Sequence, residues 1–169
     1  LFFAAWPEPG IQQALERQAQ ELMRECGGRV IPAHNIHLTL VFLGDVGRDR
    51  LPRLEVIAAA VSVPRFQLAV NRVEYWRHNR IVWAGVERCP DALLSLVDQF
   101  ERELSAEGFR FDKRSYVPHI TLVRNARRAP QASAIPDIAW PVTRIALVES
   151  AQCGRGRVYD VLREWPLTA

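Results

Sequence analysis

The chain has 169 residues, 49% of them hydrophobic, which suits one compact domain with a sizeable core. Its formal charge is +3 at a pI near 9.1, carried by 21 Arg and a single Lys, a skew that a GC-rich genome explains better than selection for a polyanionic partner. No apolar run is long enough to span a bilayer, and three widely spaced cysteines (Cys26, Cys89, Cys153) without a CxxC pair point to a reducing compartment and to buried or incidental thiols.

Residues 1–6 read as a strand, too short for the apolar region of a signal peptide and lacking its basic start. With no initiator Met, the chain is expected to begin after processing or truncation, and the location to be cytoplasmic. Residues 9–26 form a helix with Ile11, Leu15, Ala19 and Leu22 on one face, ended by Gly27-Gly28. Residues 36–43 read as a central strand containing His37-Leu38-Thr39-Leu40. Gly44 breaks the run, and Asp49 could cap a helix to about residue 62 with Leu51, Leu54, Ala58 and Val61 inward. Residues 66–76 and 80–87 look like a hairpin around Arg77-His78-Asn79. A second long helix, 90–107, carries Leu93, Val97, Phe100 and Leu104 at helical spacing and stops at Gly108. Residues 116–123 read as a second central strand containing His119-Ile120-Thr121-Leu122. A polar Pro/Ala/Arg loop to about Pro136 precedes two closing strands, 142–150 and 157–162. Runs of strands flanked by a few helices, without regular βα alternation, argue an α+β fold with mainly antiparallel pairing. Nothing resembling a linker divides the chain, so residues 1–169 are expected to form a single domain.

The two four-residue phrases lie 82 positions apart and use half of the chain's four histidines and half of its four threonines. His and Thr at i and i+2 share a face only on extended backbone. Each phrase therefore presents a polar face (His37 and Thr39; His119 and Thr121) and an apolar one (Leu38 and Leu40; Ile120 and Leu122). Imidazole serves as base when neutral and as acid when protonated, and both forms coexist near neutral pH. Threonine hydroxyls donate well to phosphate oxygens. Displacement at phosphorus runs in line, with attacking and leaving oxygens on opposite sides, and one His–Thr pair on each side meets that requirement. No Cys, Asp or Glu lies within two residues of either histidine, so neither a metal nor another cofactor is expected. His34 and His78 are not assigned to catalysis, Trp76 and Trp83 read as packing or base-stacking surfaces, and Ser115 and Tyr116 precede the second motif as groove-lining candidates. Basic residues cluster at Arg110, Lys113 and Arg114, at Arg124, Arg127 and Arg128, and at Arg155 and Arg157, where they would attract a polyanion.

The wording around the phrases, Asn35-Ile36-His37-Leu38-Thr39-Leu40-Val41-Phe42-Leu43-Gly44 and Pro118-His119-Ile120-Thr121-Leu122-Val123-Arg124, resembles the 2H phosphoesterase superfamily, and within it the bacterial RNA 2′,3′-cyclic phosphodiesterases, also called 2′-5′ RNA ligases. The opening Leu1-Phe2-Phe3-Ala4, the middle Arg80-Ile81-Val82-Trp83-Ala84-Gly85-Val86, and the closing Gly156-Arg157-Val158-Tyr159 and Trp165-Pro166-Leu167 extend the likeness over essentially the whole chain. The resemblance implies two pseudo-symmetric lobes of mainly antiparallel sheet, helices on the outer faces, a central cleft and one motif strand in each lobe. It implies metal-independent hydrolysis of an RNA terminal 2′,3′-cyclic phosphate to a 2′-phosphate, with weak reverse 2′-5′ ligation. His37 and His119 would then be the acid–base pair, Thr39 and Thr121 the phosphate clamps, and Arg124 a further phosphate ligand.

Strict alternation would put Arg124 on the face opposite Thr121, so it must lie past the strand end or at a bulge. Phe42, at the same offset after Thr39, is a candidate nucleotide contact, its alternative being a core aromatic in step with Leu38 and Leu40; Tyr116 is a second candidate contact. The expected partners are RNA 3′ ends bearing the cyclic phosphate, met by a monomer away from any membrane. Rival functions are a 2H enzyme for 2′-5′ oligoadenylate, small cyclic nucleotides or ADP-ribose cyclic phosphate, and a non-catalytic RNA-end binder.

Overall fold

Residues whose side chains alternate between apolar and polar, or are apolar throughout, pair here into two antiparallel sheets, against which three amphipathic helices pack. The computed structural model describes residues 1–153 and 156–169; Arg155 and the side chain of Cys153 lie outside the described residues. The first sheet has four strands in the order β3 (Leu38–Phe42), β1 (Phe2–Ala5), β8 (Arg144–Cys153), β9 (Gly156–Pro166). The second has five, β2 (Arg29–Val30), β6 (Ile120–Arg124), β5 (Ile81–Val86), β4 (Phe66–Trp76), β7 (Ala134–Val142). The fold is α+β, two pseudo-symmetric lobes with one motif strand in each sheet.

One continuous apolar core joins the sheets and helices. Phe3 on β1 stacks on Phe100 of α3 (Asp91–Ala106) with ring centroids 4.3 Å apart. The opposite face of β1 is also buried: Phe2 and Ala4 pack with Ala146 and Val148 of β8, and Trp6 and Tyr159 flank them. Phe2 and Tyr159 of that second, smaller cluster line the central cleft on the first lobe's side.

Helix α1 (Pro9–Cys26) buries Leu15, Ala19 and Leu22, with Ile11 half-buried on the same face. Gly27, at φ +68°, ends it by donating its N–H to the Met23 carbonyl (2.8 Å). Gly28 is required twice over: its φ is +99°, and a Cβ there would lie 2.6 Å from the Arg124 carbonyl oxygen. The end of α1 is thereby pressed against the end of β6, where the Arg127 N–H also donates to the Cys26 carbonyl (2.8 Å). Cys26 is buried and Cys89 half-buried, both thiols are free, and burial raises both pKa values. No helix of the described residues is long and apolar enough to cross a membrane.

Four sequence expectations need correction. Asp49 does not cap α2; residues 48–50 form a 3₁₀ turn and the helix runs Leu51–Ala60, with Pro52 in its first turn, where a missing N–H costs nothing. It buries Leu54, Ile57 and Ala58. Residues 134–142, read as loop up to Pro136, form strand β7, because its two prolines sit on a strand bonded only to β4, at the sheet edge where a missing donor is tolerated. The closing hairpin is longer than expected, Arg144–Cys153 paired with Gly156–Pro166. Finally, β3 is an edge strand, not a central one. Its outer carbonyls are covered by the segment before β6: the Asp112 N–H donates to the Phe42 carbonyl (3.0 Å) and the Tyr116 hydroxyl to that of Thr39 (3.2 Å).

Candidate active site

Both motif strands start one residue after their histidine, at Leu38 and at Ile120. In each, the residue after His is buried in the core, and His and Thr are half-buried on the other face. Alternation then breaks in the same place in both. On β3, Ala4 pairs with Thr39 and Phe3 with Val41, so Leu40 is an extra residue. On β6, Trp83 pairs with Thr121 and Val82 with Val123, so Leu122 is extra. These bulges let two consecutive residues enter the core: Leu40 with Val41, and Leu122 with Val123. The following side chain is thereby returned to the face of the Thr, and this places Phe42 and Arg124 in the cleft. The bulge was one of the two ways foreseen for Arg124. For Phe42 it overrides the core alternative, since the ring is 48% exposed.

His37, Thr39, His119, Thr121, Arg124 and Phe42 line a single cavity of about 270 Å³. Its remaining wall is Phe2, Ile31, Asn35, Ser150, Arg157 and Tyr159. Each imidazole is oriented in the same way. His37 Nδ1 donates to the Asn35 carbonyl and His119 Nδ1 to the Val117 carbonyl, both at 2.8 Å and both two residues upstream. A carbonyl only accepts, so Nδ1 carries the proton and Nε2 holds the lone pair when the ring is neutral. Both rings therefore offer Nε2 for chemistry.

Aromatic neighbours fix the rings. Trp6 stacks parallel on His37 at 5.3 Å (5° between planes), Phe2 lies at 4.9 Å, and Tyr159 meets it edge-on at 5.0 Å. Trp76 packs edge-to-face on His119 at 4.6 Å, with Trp83 at 6.1 Å. Burial among these rings lowers the His37 pKa to about 4; the Asn35 carbonyl opposes the shift, and the charges of His119 and Arg124 add to it. Burial likewise lowers that of His119, opposed by the Val117 carbonyl and reinforced by Arg114 and Arg124. Arg124 has no carboxylate partner among the described residues, so its charge is available to an anion. Among those residues no three His, Cys, Asp or Glu side chains converge as a metal site would require.

Tyr116 is not in this cavity. It lines a neighbouring groove with Phe42, Trp76, His78 and Arg114, and its hydroxyl is committed to the Thr39 carbonyl. Burial raises its pKa, so it remains a neutral donor that ties the second motif to the first. Among the described residues of the basic clusters, Arg124 and Arg157 reach the central cavity. Arg114 pairs with Asp112, and Arg128 Nε donates to the Glu25 carbonyl (2.7 Å). His34 is exposed in a 3₁₀ turn and His78 at the hairpin tip. Ser150 and Tyr159 were missed as site residues because β8 and β9 bring them in through tertiary pairing; the one sequence signal was the i, i+2 spacing of Arg157 and Tyr159.

A family model described as the 2′-5′ RNA ligase superfamily matches residues 8–152. The RNA 2′,3′-cyclic phosphodiesterase of Escherichia coli (strain K12) is 33% identical over 172 residues, covering 99% of this chain and 96% of that protein. The protein of the same name from Thermotoga maritima is 31% identical, over 91% of this chain and 90% of its own. A crystal structure of a phosphoesterase superposes with a TM-score of 0.88 at 29% identity, covering 99% of this chain and 97% of the other. E. coli LigT complexed with 3′-AMP superposes with a TM-score of 0.86, also at 29% identity and with the same coverage.

Proposed function

Because the chain belongs to the 2′-5′ RNA ligase superfamily, we propose that it is an RNA 2′,3′-cyclic phosphodiesterase in which His37 and His119 act as an acid–base pair on one phosphorus. The observation that carries this reading is that both His–Thr pairs and Arg124 line one cavity.

The cyclic phosphate occupies the space between the two motifs. One neutral imidazole accepts, at Nε2, a proton from the water that attacks phosphorus. The other, protonated at Nε2, delivers its proton to the departing ribose oxygen. In-line geometry puts these events on opposite sides of the phosphorus, and the two histidines directly precede strands of different sheets. The Thr39 and Thr121 hydroxyls donate to the non-bridging oxygens, and the Arg124 guanidinium balances their charge as it grows. No step calls for a metal. The bond broken is the 3′ ester, giving a 2′-phosphate; when an RNA 5′-hydroxyl attacks in place of water, the same 3′ oxygen leaves and a 2′-5′ linkage forms, which is the weak ligation. Phe42, half exposed at the cavity rim, is the nucleotide contact, while Tyr116 acts through the Thr39 backbone.

Both motifs come from one chain and close one cavity, so the working unit is a monomer, a single domain of two duplicated lobes, and we place it in the cytoplasm with RNA ends as its substrate. The test is turnover of a short RNA with a 2′,3′-cyclic end in the presence of EDTA, followed by phosphorus NMR. The expected product is a 2′-phosphomonoester formed at an undiminished rate. An unchanged cyclic end, or chelator-dependent turnover, contradicts the proposal.

A further inference from the structure

Among the described residues, two polar side chains are buried, Gln12 and Asn35, each 8% exposed. Both serve one short stretch, the 3₁₀ turn Ala33–Asn35 and Ile36 after it, which leads directly into His37. The turn's own bonds run from the Asn35 N–H to the Pro32 carbonyl (2.8 Å) and from the Ile36 N–H to the Ala33 carbonyl (3.0 Å). Bonds of this kind hold a single 3₁₀ turn weakly. Side chains brace it further. From α1, Gln12 Nε2 donates to the Ile36 carbonyl (3.3 Å), and Glu16, one helical turn along the same face, accepts from the Ala33 N–H (2.9 Å). Asn35 Nδ2 in turn donates to the Arg157 carbonyl of β9 (3.0 Å).

Burying an amide is unfavourable unless its groups are paired, and Asn35 Oδ1 has no partner among the described residues. An apolar side chain would fill the same space without that cost. What the amide fixes is its own backbone carbonyl, the acceptor of the His37 Nδ1 proton (2.8 Å). The second motif is mounted differently. His119 donates to the carbonyl of Val117, whose side chain is 44% exposed and cannot hydrogen-bond.

We infer that Asn35 is a positioning residue for His37. By tying the turn to β9 it sets the carbonyl that keeps the His37 proton on Nδ1 and the lone pair on Nε2. Gln12 braces the same turn from α1. The effect on turnover rests on the phosphodiesterase reading above; the effect on the ring's tautomer does not.

Asn35→Leu fills the site and has no donor. At about pH 8, where the rings are neutral, ¹H–¹⁵N NMR of the natural protein should show Nδ1 of both histidines as the protonated nitrogen. In Asn35→Leu the His37 signals should move toward mixed tautomers while those of His119 stay in place. On a short RNA with a 2′,3′-cyclic end, kcat should fall roughly tenfold or more with KM within about threefold, as loss of orientation requires. Gln12→Leu should move the same His37 signals in the same direction, an independent reading should Asn35→Leu fold poorly. Arg157→Ala keeps the backbone carbonyl and should leave the His37 tautomer unchanged. Unmoved His37 signals in both folded variants, equal movement of both histidines, an undiminished kcat in Asn35→Leu, or the same tautomer change in Arg157→Ala would overturn the inference and leave the phosphodiesterase reading intact. No turnover by the natural protein would sink that reading, and the NMR comparison would still decide what Asn35 does to His37.

Discussion

At the scale of single residues, the two histidines are matched in hydrogen bonding but not in surroundings. Each gives its Nδ1 proton to a carbonyl two residues back, yet His37 lies among three aromatic rings and His119 beside two. Replacing either by Ala is expected to cost about 10²–10⁴ in kcat. The double variant should fall little further than the worse single one, because the pair works as a unit. Both pKa values are lowered, so in the free protein the singly protonated pair is most populated below pH 6.5. The bell of kcat/KM against pH should accordingly be centred on the acid side of that value. Bound phosphate favours the imidazolium form and should move the kcat bell to higher pH. A kcat/KM profile centred above about pH 7.5 would contradict this assignment of environments.

The same shift has a consequence for stability. The folded pKa of His37, about 4, lies below the ordinary 6.5, so between those values the unfolded chain binds the extra proton. That contribution is fully present above pH 6.5 and is lost as pH falls toward 4. Unfolding free energies from urea titrations should drop between about pH 7.5 and about pH 5, by about 2 kcal/mol from this residue, and His37→Asn should flatten the drop. A variant with the same acid sensitivity as the natural protein would exclude His37 as its source.

At the scale of elements, much of the site follows from a period of two followed by a single break in it. His–apolar–Thr needs extended backbone, and that requirement was legible in the residues themselves. The bulges at Leu40 and Leu122 were not, because an inserted apolar residue looks like any other member of an aliphatic strand. Only the demand that Arg124 reach the phosphate hinted at one. Strand β7 was hidden by Pro136 and Pro141, whose tolerance depends on a sheet edge that local sequence does not reveal. The helices were nearly all legible, since Leu15, Ala19 and Leu22, or Leu93, Val97, Phe100 and Leu104, mark their buried faces by spacing alone.

Gly28 shows how an element outside the cleft supports it. At φ +99° and against the Arg124 carbonyl, it sets how closely α1 approaches the end of β6. Gly28→Ala should destabilise the fold by about 2 kcal/mol or more and raise KM through displacement of Arg124. Thermal melting and steady-state kinetics check this, and a variant with natural melting temperature and KM would refute it.

At the scale of the whole molecule, the two lobes matter for what they place face to face. Ser150, Arg157 and Tyr159, from the closing hairpin of the chain, complete a cavity begun by Phe2 and His37 near its start. Sequence could suggest that two like motifs converge, but not which third wall would enclose them, since that wall depends on β8 pairing with β1. The most direct measurement of the convergence is a titration with a nucleoside 2′-phosphate, followed by ¹⁵N and ¹H NMR of both imidazoles. The prediction is that the Nε2 signals of His37 and His119 shift together along one binding curve with one ligand per chain, and that Arg124→Ala weakens both equally. If only one ring responded, or if the two followed separate curves, the histidines would not share a phosphate.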